Sequence, residues 1–198
     1  SVWAKFYQSA LLLPYLLSWV VISYMVFAFL NSDSGFINNT VLKVLGMAPV
    51  SWYTKSNIWP FILILVFLWQ TVGHTSIIYM ASIAGIYEAA KIDGAGKIKQ
   101  IFYMTLPLLR PTITIMVLMA IGKIFFSDFG LFYQVPMNSG ALYGVTQTID
   151  TFVYRGLMEL NDVGMSSAAG LFQSCVGFVL VITANALVRK MNPENALF

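Results

Sequence analysis

Charge and cysteine are scarce in this chain of 198 residues. Asp, Glu, Lys and Arg make up 10% of it, where soluble domains carry about 25%. A single cysteine, Cys175, excludes an internal disulfide, and one histidine, His74, leaves no Cys/His set that could hold a metal. His74 stands between Gly73 and Thr75, where a buried, hydrogen-bonded imidazole is the expected role. No nucleophile and base stand at a spacing that makes an enzyme site. A net charge of +3 is too small to argue for a nucleic-acid partner. Neither an internal repeat nor a low-complexity tract is present.

What the chain has instead is apolar length. Hydrophobic residues make up 59% of it, and nothing charged occurs over 6–32, 56–87 or 163–188. A hydrocarbon core about 30 Å thick needs roughly 20 helical residues. These runs are long enough, and with a further run near the middle they predict four membrane spans, at about 10–30, 60–83, 108–130 and 163–188. A secretory signal is a poor reading, because apolar segments recur along the chain and the first is too long for a signal core. The expectation is one transmembrane domain over 1–198. Lys5, Lys91, Lys97, Lys99, Arg110, Arg189 and Lys190 fall on one side of those spans, and Lys43, Lys55 and Arg155 on the other. That asymmetry puts the 84–107 connection and the tail in the cytoplasm.

Pro14 is expected near the start of the first span, where its missing N–H costs least. The segment after it is rich in Gly, Asn, Ser and Pro and reads as a loop. Within it, Val41–Leu45 suits a short interfacial helix, with Trp52, Tyr53 and Trp59 at headgroup depth. Asn38-Asn39-Thr40 matches a glycosylation acceptor, a pattern short enough to arise by chance. Leu106-Pro107 marks a helix start.

Residues 88–107, "EAAKIDGAGKIKQIFYMTLP", form the one markedly polar stretch between two apolar ones. Glu88, Ala89 and Ala90 favour helix, and the alanines keep its surface thin. Asp93-Gly94-Ala95-Gly96 then breaks it. Ile98, Ile101 and Phe102 follow at helical offsets as an apolar stripe, with Lys97 and Lys99 turned to headgroups or solvent. The segment reads as a helix–turn–helix elbow held between two spans; a plain solvated charge run is the competing reading. It is not a phosphate loop. The pattern G-x-x-x-x-G-K-[ST] needs Gly and Ser/Thr where the chain has Lys91 and Ile98.

The spacing met by Glu88, Ala89, Ala90, Gly94, Leu106 and Pro107 resembles the signature of binding-protein-dependent ABC importer permeases. Met104 stands where that signature usually has Ile. Asp93-Gly94-Ala95, Phe102, "LLLPYLLSWVV" in the first span and "IDTFVYRGL" before the last resemble the maltose- and polysaccharide-type carbohydrate branch, so the likeness covers most of the chain. The resemblance implies an all-α, polytopic membrane bundle of the type I importer kind in a bacterial cell (inner) membrane. It makes 84–107 the coupling loop. There Glu88 meets a basic group of a cytoplasmic ATPase, Ala89 and Ala90 form the close-packed surface, and Asp93, Gly94 and Pro107 shape the turn and the helix that follows. It implies a second permease, two ATPase subunits that hold ATP and Mg, and an extracytoplasmic binding protein, with no cofactor in this chain. Members of the branch usually have about six spans, so two are expected to precede Ser1.

For the substrate path, Lys123 is expected inside the third span, facing a wet cavity or snorkelling to the interface. Asp128 lies about 140° further round a helix, so an ion pair between them is not assured. Tyr133, Gln134, Asn138, Tyr143, Tyr154 and Arg155 offer aromatic faces and polar groups suited to sugar rings, and equally to an interfacial belt. Gln173 and Asn185 are polar groups in the last span, suited to the path or to helix–helix hydrogen bonds. Ser166 to Gly170 is a small-residue packing face. An ion-coupled secondary transporter or channel subunit, with Lys123 and Asp128 as a relay, is the alternative.

Overall fold

A computed structural model describes residues 2–92, 98 and 101–191. The described residues form helices and turns, with no strand. The main helices are α1 (Val2–Leu16), α2 (Trp19–Leu30), α3 (Trp59–Ile92), α4 (Leu106–Gly122), α5 (Ile149–Met158) and α6 (Val163–Met191). Three helical stretches are long and apolar enough to cross a membrane, 56–82, 101–122 and 163–190, and α1 with α2 would make a fourth if that bent pair is one span. Within the 1–198 region expected as one transmembrane domain, the residues group into two compact units. One is Ser1–Gly73 with Phe126–Gly170, and the other is His74–Phe125 with Leu171–Phe198.

The first span departs from expectation. The stretch is two helices rather than one straight one: α1 and α2 meet at 96° across Leu17-Ser18. Pro14 lies in the last turn of α1, not near the start of a long helix. Its ring cannot donate to the carbonyl one turn back, and the chain leaves the helix within three residues. Ser18 then restarts it as an N-cap, its hydroxyl accepting from the Val21 N–H at 3.3 Å.

The third span also ends early. α4 stops at Gly122, with Lys123 as its C-cap, and does not run on to 130. Ser127 and Asp128 explain why the helix does not resume at once. The Ser127 hydroxyl donates to Asp150 Oδ2 at 2.8 Å and the Asp128 carboxylate accepts from the Leu131 N–H at 3.3 Å. Such short polar side chains compete with helical hydrogen bonding. A π-helical turn, Gly130–Gln134, follows. Its first residue rests against the Trp19 indole so closely that no side chain fits there.

The core of the first unit is built from Ile22, Trp59, Leu63, Val66, Leu131, Val135 and Leu142. Trp59, expected at headgroup depth, belongs to this core. It is wholly buried, and its indole N–H donates to the Trp52 carbonyl at 2.8 Å. Burial of an indole is cheap only when that N–H finds a partner. Tyr53 packs edge-on against Trp59, ring centres 5.0 Å apart.

The loop between α2 and α3 is organised by a residue that sequence alone offered as a glycan acceptor. Asn38 is buried. Its amide nitrogen donates to the carbonyls of Asn31, Ser32 and Val50, and its oxygen accepts from Val50 N–H and the Trp52 indole. A side chain with both ends so engaged cannot carry a glycan in this fold.

Candidate functional site

The segment expected to couple begins as a continuation of a span. α3 runs unbroken from Trp59 to Ile92, so Glu88, Ala89 and Ala90 stand on its last described turns, continuous with the span. Ala81, Ala84, Glu88, Ala89 and Ala90 are good helix formers and no proline intervenes, so nothing stops the helix at 83. Asp93 and Gly94, with the turn expected around them, lie outside the described residues. On the far side, Ile98, Ile101 and Phe102 are all exposed. Ile101–Thr105 forms a π-helical turn that leads into α4. Pro107 sits in the first turn of α4, as Leu-Pro predicts.

In the first unit, the structure brings two of the sequence-selected path residues together. Tyr133 and Tyr154 meet edge-on with ring centres 4.9 Å apart. Phe129, not anticipated, completes the cluster, stacked on Tyr133 at 4.7 Å and tilted against Tyr154 at 4.8 Å. The phenol of Tyr133 is pushed above its ordinary range, first by burial and then by Tyr154, Glu159 and Tyr143, with Arg155 pulling the other way. Gln134 ends the same π-helical turn, half-buried.

Beside these rings lies a second group. Arg155 is buried to 8% exposure, with its guanidinium carbon 4.1 Å from the centre of the Tyr143 ring. Its two terminal nitrogens donate to Asn138 Oδ1 at 3.0 Å and Thr151 Oγ1 at 3.2 Å. The Tyr143 hydroxyl donates to the same Asn138 oxygen at 3.1 Å. Met137 and Asn138 both have positive φ, 53° and 46°, a conformation that costs a bulky residue free energy. The three side chains thus hold a strained turn.

α5 is positioned by its start. Thr148 and Thr151 form a reciprocal cap, and Asp150 in the first turn accepts from both the backbone N–H and the hydroxyl of Ser127. A carboxylate there favours the positive end of the helix dipole. The Thr-x-x-Thr spacing carries this start in the sequence. Its link to Ser127, twenty-odd residues away, leaves no local signal.

Asp128 is exposed and lines a mostly apolar groove of about 460 Å³ with Leu63, Phe67, Phe126, Ser127 and Phe132. In the second unit, Lys123 is exposed at the end of α4 rather than within a span. A cation there suits the negative end of the helix dipole. Gln173 is 3% exposed and its amide donates to the Phe125 carbonyl at 2.6 Å. That contact uses it to hold the chain after α4, the fastening role open to a polar residue in lipid. Among the described residues no cluster of His, Cys, Asp and Glu could hold a metal ion.

No family model matches the chain. It is 29% identical over 198 residues to the polygalacturonan/rhamnogalacturonan transport system permease protein YteP of Bacillus subtilis (strain 168), covering 98% of this chain and 61% of that protein. It is 31% identical over 186 residues to the arabinooligosaccharides transport system permease protein AraP of Halalkalibacterium halodurans, covering 89% of this chain and 57% of that one. It superposes on a chain of the crystal structure of a bacterial alginate ABC transporter in complex with alginate pentasaccharide-bound periplasmic protein. The TM-score is 0.84 at 30% identity, over 96% of this chain and 66% of that chain. A second crystal structure, of a bacterial ABC transporter involved in the import of the acidic polysaccharide alginate, matches with a TM-score of 0.86 at 29% identity, over 97% and 68% of the two chains. The chain spans about three fifths of the length of the curated relatives it matches.

Proposed function

This chain is a relative of the permease subunits of carbohydrate ABC importers, and from that premise we propose that it forms part of the membrane passage of an ATP-driven importer of oligosaccharides or polysaccharide fragments. It works as a non-enzymatic, multi-pass subunit in a bacterial cell (inner) membrane. A second permease, identical or homologous, completes the passage. Two cytoplasmic ATPase subunits bind ATP and Mg, and an extracytoplasmic binding protein delivers the sugar.

One observation carries this reading. The fold agrees along almost the whole chain with that of an alginate ABC transporter chain. Glu88 gives an ATPase a charged grip, and Ala89 and Ala90 let it approach closely. Closure of the two ATPases then acts on α3 and on the start of α4 at Pro107. The passage switches between inward- and outward-open states because the ATPases bind those states differently. Phe129, Tyr133 and Tyr154 offer ring faces to the apolar C–H faces of a sugar, with Gln134 and Asp128 as further polar groups of the path.

Uptake by the complete transporter in proteoliposomes tests the proposal. The expected result is sugar uptake that requires ATP and the binding protein and survives collapse of ion gradients. Uptake that follows an ion gradient without ATP would overturn it in favour of an ion-coupled secondary transporter or channel subunit.

A further inference from the structure

The loop between α2 and α3 carries a short helix whose outer face is exposed among the described residues. Its centre is a π-helical turn, Ile37–Leu42. It closes at Gly46, whose φ of 67° turns the chain, with Gly46 N–H donating to the Lys43 carbonyl and Met47 N–H to the Leu42 carbonyl. That paired closure is a helix stop of defined geometry, so the element has a firm end. Its inner side is pinned by buried Asn38 and Leu42. Asn38 ties it to Asn31, Ser32, Val50 and Trp52, so it is held to both flanks of the loop.

The outer side is divided. Val41, Val44 and Leu45, at offsets of three and four, are 41%, 82% and 65% exposed. Asn39 and Lys43 form the other exposed face, and Thr40, one turn before Val44, lies at the border. The apolar face continues onto α2 at one end and onto the lipid-length α3 at the other. Phe36 touches Phe29 of α2 edge-on at 5.7 Å, and both rings are about half exposed. Past the other end of the loop, Ile58 and Phe61 are exposed where α3 begins. Residues 31–58 contain two lysines, Lys43 and Lys55, against one acid, Asp33.

We propose that this helix lies in the bilayer interface, with Val41, Val44 and Leu45 inserted at the headgroup–acyl boundary and Lys43 turned toward anionic headgroups. An apolar face that runs onto the exposed apolar residues of α2 and α3 and is edged by cations is what lipid at that depth recognises. Because Asn38 locks the helix to the loop, the contact anchors the connection between α2 and α3 at the membrane surface while the spans move.

Site-directed spin labelling of the assembled transporter in vesicles of phosphatidylethanolamine and phosphatidylglycerol tests this. On a Cys175→Ser background, single labels replace Val44, Leu45 and, on the opposite face, Asn39. Collisions with oxygen, which concentrates in lipid, are compared with those of a water-soluble nickel chelate. The expected result is oxygen-dominated collisions at Val44 and Leu45 and chelate-dominated collisions at Asn39. Chelate access at Val44 equal to that at Asn39 overturns the proposal, because the face is then in water. Protection of Val44 and Leu45 from both reagents also overturns it, because a protein subunit then covers the face. Two labelled positions keep the test alive if one variant fails to assemble.

Discussion

Gly73 of α3 lies against the backbone of Leu11 in α1 so closely that a side chain at residue 73 would overlap the Leu11 carbonyl. The obstacle is backbone, not a side chain that can swing aside. Gly73→Ala should therefore displace α1 and cost about 1–3 kcal/mol, the range for overpacking a fitted contact. Gly144→Ala is the control, since nothing lies within 4 Å of a Cβ there. The halting temperature of each purified variant in lipid nanodiscs, read as loss of monodisperse protein on heating, checks the contrast. Equal temperatures for the two variants would refute the close contact.

The Arg155 cluster makes a second contrast. Arg155→Ala removes hydrogen bonds from a charged donor, each worth about 1.5–3 kcal/mol, and a cation–π contact worth about 0.5–2 kcal/mol. It also releases the strained turn at Met137-Asn138. Added protease should then cut near residues 137–143 at least about tenfold faster, since every 1.4 kcal/mol is a factor of ten. Arg155→Lys keeps the charge over Tyr143 but cannot reach Asn138 and Thr151 together, so it should fall between wild type and alanine.

Glu88→Ala bears on coupling. If Glu88 meets a basic group of an ATPase, losing a charge-assisted contact of about 1.5–3 kcal/mol should lower ATP-driven uptake by roughly tenfold or more. The amount of protein in the membrane should not change. Lys123→Ala should leave uptake near wild type, because Lys123 is exposed at a helix end. The reverse ranking in the same uptake assay would favour a charge relay through Lys123.

Tyr133 predicts alkaline sensitivity. Its phenol is held above the ordinary value of 10.0, chiefly by burial. The unfolded chain therefore ionises first as pH rises. The stabilisation is complete below pH 10.0 and is lost as pH climbs through the higher folded value. Tyr133→Phe should flatten the fall in thermal stability above that pH. Tyr53, raised for the same reason, will account for part of the decline that remains.

Several features are legible in residue order because they are local. Pro107 starts a helix wherever the chain goes, and Glu88-Ala89-Ala90 is helical by propensity. Thr148 and Thr151 cap α5 from three residues apart. By contrast, Gln173 reads equally as a path residue or a fastener until its amide is seen on Phe125. Tyr133 and Tyr154 stand 21 positions apart in the sequence, and no periodicity announces that Phe129 joins them.

The chain's order of residues settled by itself that this is a membrane helix protein, because long charge-free runs can satisfy their backbone in lipid only as helices. It also settled where the polar stretch falls between two such runs. Folding in three dimensions decided the rest: the 96° break between α1 and α2, the early stop of α4, the burial of Trp59, and the use of Asn38 as a clasp. Hydropathy measures how much apolar surface a segment offers. It carries no information about direction, or about which distant carbonyl will receive a buried amide.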